Sequence, residues 1–308
     1  MRSPSFLIRT RSWLSTALLA ASLTLVAATP LALASSPATP AATPLAEAFT
    51  PGAPGLGDPY FPLLGNGGYD VNHYTIALDL DIPDGSLVTA TTTIEAVATQ
   101  NLSAFNLDFR GPEIDHITVN AEPATFERRG GELTITPASP LVDGEPYTVV
   151  VTYHGTPDGG DSRFERGWWS TGDSIFAVGE PAGSDVWYPV NGHPLDKATY
   201  TLIITVPADY NVVANGRLAE LAHADAVAGQ VSTNTFRWEN DEPTASYLVT
   251  FHAGKFETET YEGPSGITII DAFPADLPDR ERQIFQKTPE MVSLFTELFG
   301  PYPFDSLG

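Results

Sequence analysis

From Tyr69 to about Phe256 the chain alternates apolar and polar residues with period two, in short runs broken by Pro, Gly, Asn and Asp. Period two sends successive side chains to opposite faces of an extended backbone, so the pattern predicts strands with one buried face. Residues 74–82 alternate cleanly up to the turn Pro83-Asp84-Gly85, and 87–98 pair back on them as a hairpin. Further strands are predicted at 105–109, 117–120, 132–136, 147–153, 200–206, 234–238 and 246–252. Those at 147–153 and 200–206 are richest in β-branched residues and read as the strongest core strands. Together they predict a mainly β fold: a β-sandwich or open, saddle-like sheet pair over residues 63–262. No repeat of 20–50 residues suggests a propeller or solenoid.

The pattern changes at Gly263. Ile267-Thr268-Ile269-Ile270-Asp271 reads as one strand, and 279–299 has helical spacing. There Ile284, Thr288, Met291, Val292, Phe295, Leu298 and Phe299 share a face. Pro289 must kink that helix or restart it at its first turn, with Thr288 as its cap. Gly300 and Pro301 end it. One strand and one helix in about 45 residues cannot bury a core. Residues 263–308 therefore read as the opening of an incomplete α/β domain.

The amino terminus has the pattern of an export signal. Arg2, Arg9 and Arg11 precede an apolar run, and Ala32-Leu33-Ala34 offers a cleavage site, so residues 1–34 read as a signal peptide. The run is short for a membrane span, and no stable span is expected once the signal is removed. The expected destination is outside the cytoplasm: secreted, periplasmic or bound to the cell envelope. Residues 35–62, rich in Pro, Ala, Thr and Gly, read as an extended linker. The chain has no Cys, which rules out disulfides, a thiol nucleophile and Cys-ligated zinc. Its 38 acidic against 15 basic residues leave a net charge of −23. That field repels a phosphate backbone, so nucleic acid is excluded as a partner.

Few local motifs carry chemistry. Among the six histidines the closest pair, His223 and His252, stand 29 positions apart, and none begins an H-E-x-x-H. His116 and His252 fall within strand patterns and read as structural. No G-x-S-x-G elbow occurs, and the glycine pairs lack the strand–helix context of a phosphate loop. Lys197 beside Asp196 reads as an ion-pair partner at a strand start, with a substrate clamp as the alternative. Trp168-Trp169 reads as packing or an interdomain surface, with a sugar platform as the alternative.

Four segments in order carry a resemblance. They are Tyr69-Asp70-Val71-Asn72-His73-Tyr74 with its strand; Gly179-Glu180-Pro181 through Trp187-Tyr188-Pro189-Val190-Asn191-Gly192-His193-Pro194 to Asp196-Lys197-Ala198-Thr199-Tyr200; Tyr247-Leu248-Val249-Thr250-Phe251 with Gly254-Lys255-Phe256; and Phe299-Gly300-Pro301-Tyr302-Pro303-Phe304. Their order resembles the amino-terminal portion of the aminopeptidase N-type (gluzincin) zinc metallopeptidases, the family that includes leukotriene A4 hydrolase. The resemblance implies that 263–308 opens a thermolysin-like catalytic domain, missing beyond Gly308. It implies zinc as cofactor, with ligands not in this chain, and the amino terminus of a peptide as substrate. Glu180 matches the residue that binds the substrate's free α-amino group, a charge-assisted contact suited to a carboxylate in a partly desolvated turn. Two departures stand out: Val178 replaces a common Gln, and residues 189–194 lack the usual Pro-Cys-Asp-Glu-Pro. No catalytic residue is matched, because the H-E-x-x-H helix and the catalytic Tyr are absent. The chain alone is therefore expected to be inactive. A different class remains open: a stand-alone secreted β-module that binds peptide or carbohydrate.

Overall fold

The longest alternating run becomes a long hairpin. A computed structural model describes residues 48–62, 64–158, 166–227, 229 and 231–308. A short β1 (Thr50–Pro51) precedes β2 (Tyr69–Asp81) and β3 (Ser86–Ala98), which pair antiparallel. The Gly85 amide closes their turn on the Ile82 carbonyl at 3.1 Å, and Gly85 has φ +68°, which favours glycine. A bulge between Val71 and His73 puts Val71 and Tyr74 on one buried face, which continues through Ile76, Leu78 and Leu80.

The strands that follow are β4 (Leu102–Asp108), β5 (Glu113–Val119), β6 (Glu122–Pro123), β7 (Thr125–Arg129), β8 (Glu132–Thr136) and β9 (Pro146–Gly155). After them come β10 (Trp168–Ser170), β11 (Ser174–Val178), β12 (Lys197–Pro207), β13 (Asn211–Ala214), β14 (Arg217–Ala224), β15 (Thr233–Ala245) and β16 (Thr250–Gly254). One eight-stranded sheet runs β14-β15-β12-β2-β3-β9-β5-β6, in which β12 lies parallel to β2. Two four-stranded sheets, β1-β4-β8-β7 and β10-β11-β16-β13, share one core with it. Ile76, Ile94, Val151 and Leu202 enter that core from the large sheet, Phe105 and Ile135 from one small sheet, and Ile175 and Phe251 from the other. Each such side chain contributes about 1.5–3 kcal/mol on burial. The mainly β sandwich expected from the alternation is the fold observed.

The tail forms its own small sheet from β17 (Glu257–Glu262), β18 (Thr268–Phe273) and β19 (Ser306–Leu307). β18 is antiparallel to β17 and parallel to β19. Its first strand thus lies before Gly263, where the change of sequence pattern begins. Of the two outcomes Pro289 allows, the restart occurs: the helical stretch is α1 (Asp279–Phe285) and α2 (Thr288–Phe299), with Pro289 in the first turn of α2. Lys287, not Thr288, is the N-cap residue, and no side chain caps the helix. Lys287 already has helical backbone angles, and its carbonyl accepts the Met291 amide at 3.1 Å, so the helix starts one residue early. On the shared apolar face only Val292 is buried, whereas Met291, Phe295, Leu298 and Phe299 are 47 to 81% exposed.

The signal segment 1–34 and residues 35–47 of the expected linker lie outside the described residues. The rest of that linker departs from a free extended chain. The Thr50 amide donates to the Asn101 carbonyl (3.0 Å) and the Gly52 amide to the Ala104 carbonyl (2.9 Å), so β1 adds to the edge of β4. Backbone pairing at a sheet edge needs no apolar side chains, which is why composition did not reveal it. Among the described residues no helix is long and apolar enough to cross a membrane.

Candidate functional site

β11 runs along β16 as far as the pair Val178–Thr250, and the chain then leaves the sheet at Gly179. A Cβ on Gly179 would stand 2.5 Å from Ser184 Oγ and 3.0 Å from the Tyr247 carbonyl oxygen, so only glycine fits. Glu180 follows at the tip, joined to Pro181 by a cis peptide bond. The Gly183 amide turns back onto the Gly179 carbonyl at 2.6 Å, and Ser184 Oγ donates to the Ser246 carbonyl at 2.8 Å. Beyond the short 3-10 turn Ser184–Val186, Trp187 and Tyr188 are fully buried. The Trp187 ring meets Phe251 edge-on, with centroids 5.5 Å apart.

The backbone of this turn is therefore fixed on both sides, while the Glu180 side chain is exposed. Its carboxylate makes no hydrogen bond or ion pair among the described residues. The expected partial desolvation is not found, because nothing among those residues packs over the tip. An unpaired carboxylate on a rigid turn is open to a ligand cation.

The following segment, 190–196, is a structural knot. Asn191 is buried at its centre: its amide donates to Tyr74 Oη (3.0 Å), its Oδ1 accepts the Asn66 amide (2.7 Å), and its Nδ2 donates to the Asn66 carbonyl (3.1 Å). That Nδ2 also donates to the Asp196 carboxylate, which accepts the Val71 amide at 3.2 Å. Asp108 accepts the Gly192 amide at 2.8 Å, and its main chain exchanges hydrogen bonds of 2.8 and 3.0 Å with Val190. Burial pushes both the Asp108 and Asp196 carboxyls up to about 7, outweighing the amides of Gly192 and Val71 that favour the charged forms. Above the knot the Tyr74 and Tyr200 rings stack at 5.1 Å, and Tyr188 meets Tyr74 edge-on at 5.8 Å. His193, also buried, accepts the Leu195 amide at Nδ1 (3.1 Å) and turns Nε2 toward Asp58 (3.4 Å).

Sequence reasoning missed Asn66, Asp108, Asn191 and Asp196 as a group. Alternation placed Asn106 and Asp108 outward, yet all of residues 105–109 are buried. Segments 64–66 and 190–192 cover the second face of β4, and no local pattern announces that contact.

Other expected roles change. Lys197 is exposed and has no ion pair among the described residues, because Asp196 turns inward to Asn191 and Val71. Trp168 is buried, with Nε1 donating to the Gly85 carbonyl at 3.0 Å, and Trp169 stacks on Phe176 at 5.3 Å. Both tryptophans are engaged in packing. His252 touches the rings of Phe176 and Phe256, and burial lowers its pKa. Among the described residues no group of three or more His, Asp or Glu could hold a metal ion. These residues do not fit zinc.

Residues 70–248 match the model of the peptidase M1 N-terminal domain. The chain is 28% identical to an M1 zinc metallopeptidase from Deinococcus radiodurans of known crystal structure (TM-score 0.72), with the match covering 82% of this chain and 58% of that one. A mutant of that enzyme, solved with a Tyr-Ser-Ala substrate, is 27% identical (TM-score 0.72; 82% of this chain, 59% of that one). A two-domain M1 zinc metallopeptidase mutant bound to L-tryptophan is also 27% identical (TM-score 0.73; 82% and 59%). The chain thus spans somewhat under three-fifths of the length of these relatives. With a family match over more than half of its 308 residues and this sheet architecture, the chain belongs to the M1 peptidases and carries their N-terminal domain.

Proposed function

We propose that this chain is the amino-terminal portion of an exported, zinc-dependent aminopeptidase, in which Glu180 binds the free α-ammonium of a peptide. The observation that carries the reading is the exposed Glu180 carboxylate, without a partner among the described residues, on a turn fixed at both ends. A relative in complex with the tripeptide Tyr-Ser-Ala supports a peptide as ligand. Zinc ligands and the residues that act on the peptide bond belong to polypeptide beyond these 308 residues. That polypeptide also covers the apolar face of α2, where Met291, Phe295, Leu298 and Phe299 stand exposed. Export rests on the signal pattern of residues 1–34. Protease protection of the mature chain in a fractionated cell checks it.

The activity test compares aminoacyl anilides with a free and an acetylated amine, using the intact gene product. Chelator-sensitive cleavage of the free-amine substrate alone is expected. Equal cleavage of both overturns the amine anchor. Residues 35–308 with added zinc are expected to show no turnover, and robust chelator-sensitive turnover would place a zinc site within them.

A further inference from the structure

Glu180 is held from two directions, and only the upstream one is a sheet. Upstream, β11 is paired with β16 as far as Val178. Downstream, besides the Ser184–Ser246 hydrogen bond and the backbone contact of Gly183 with Gly167, the turn is tied to Arg110, just after β4. Its Nε and Nη2 reach the two carboxylate oxygens of Asp185 at 2.6 and 2.7 Å, and Nη2 also donates to the Ala182 carbonyl at 3.2 Å. Its main-chain amide donates to the Asp185 carbonyl at 2.7 Å. Both side chains are largely shielded, 25% exposed for Arg110 and 17% for Asp185.

Packing along this limb is incomplete. A cavity of about 310 Å³ lies against the downstream limb, lined by Leu64, Asp108, Glu132, Pro181, Ala182 and Tyr247 among others. Arg110 lines the same cavity and links the limb to β4. Its stem passes close to Gly131, where a Cβ would stand 3.1 Å from Arg110 Cγ. A guanidinium presents a planar fork that engages both carboxylate oxygens and a carbonyl together, which an ammonium on a flexible stem does not.

We propose that Arg110 and Asp185 are positioning residues that hold the Glu180 turn in one place for its ligand. This rests on the reading of Glu180 as an ammonium anchor. Neither residue touches the ligand: they act by fixing positions 182–185, so that the carboxylate at 180 is presented in a single orientation.

Hydrogen exchange on the intact gene product tests the first half. Arg110→Lys is expected to raise exchange at amides 182–186 about tenfold while β2 and β3 keep wild-type protection. Asp185→Asn does the same, and combining the two adds nothing further. Aminoacyl anilide kinetics test the second half. Arg110→Lys raises KM several-fold and leaves kcat near wild type, yet has no further effect in a Glu180→Gln background. Unchanged exchange at 182–186, or protection lost evenly through the chain, overturns the proposal. So does a KM effect of Arg110→Lys that persists without Glu180. A wild-type enzyme that ignores free-amine substrates overturns the anchor reading instead, and the exchange result then still decides whether Arg110 and Asp185 hold the turn.

Discussion

The Asp108 carboxylate accepts the Gly192 amide at 2.8 Å, fastening the end of β4 to the segment that follows the buried Trp187 and Tyr188. The contact joins residues 84 positions apart and lies on the face of β4 that alternation would leave to solvent. Arg110, two residues on, reaches the turn that carries Glu180. One strand end therefore supports both halves of the family's most diagnostic segment.

Burial of Asp108 and Asp196 makes stability depend on pH in a set direction. Each carboxyl ionises near 3.8 when free but is pushed up to about 7 in the fold. Between those values the unfolded chain binds fewer protons than the folded one, so stability falls as pH rises across the window and stays low above it. Asp108→Asn keeps an acceptor for the Gly192 amide and removes the buried charge. It is expected to stabilise the chain at pH 8 by at most about 4 kcal/mol and to change little at pH 3.5. Urea melts at the two pH values check this, and an equal effect at both contradicts it.

Glu180→Gln keeps the size of the side chain and removes its charge. Loss of a charge-assisted contact of about 1.5–3 kcal/mol should raise KM for free-amine substrates roughly 10- to 100-fold. The melting temperature should not move, because the side chain is exposed and has no partner among the described residues. Steady-state kinetics with a thermal melt separate the two effects. A fall in stability with KM unchanged would show Glu180 to be structural.

Gly167 and Gly183 meet backbone to backbone, and a Cβ on Gly167 would stand 1.7 Å from the Gly183 carbonyl oxygen. Gly167→Ala must separate β10 from the Glu180 turn. A loss of about 1–3 kcal/mol in denaturant unfolding is expected. A neutral result would mean that the turn yields without resistance.

The exposed face of α2 should make residues 35–308 adhesive in isolation. Phe295 and Phe299 are 54% and 81% exposed and adjacent, with ring centroids 6.1 Å apart. A Phe295→Glu, Phe299→Glu double variant is expected to bind less of a hydrophobic dye and to self-associate less, with stability changed by no more than about 0.5 kcal/mol. Dye fluorescence and sedimentation measure both. Undiminished dye binding would place the sticky surface elsewhere.

Period two was enough to read the hairpin of β2 and β3, the central β9 and β12, and the mainly β fold, because a strand's buried face is written in its own residues. The turn at Glu180 and the order of family segments were legible for the same reason: they are local in sequence. Tertiary structure alone decided that Asp108 and Asp196 are buried, that Lys197 has no ion pair among the described residues, that Thr50–Pro51 pairs with β4, and that Arg110 meets Asp185. Each of those outcomes depends on a distant segment covering or reaching a residue, and burial, charge and pairing at such a contact are properties of both partners together. Local alternation records only one of them.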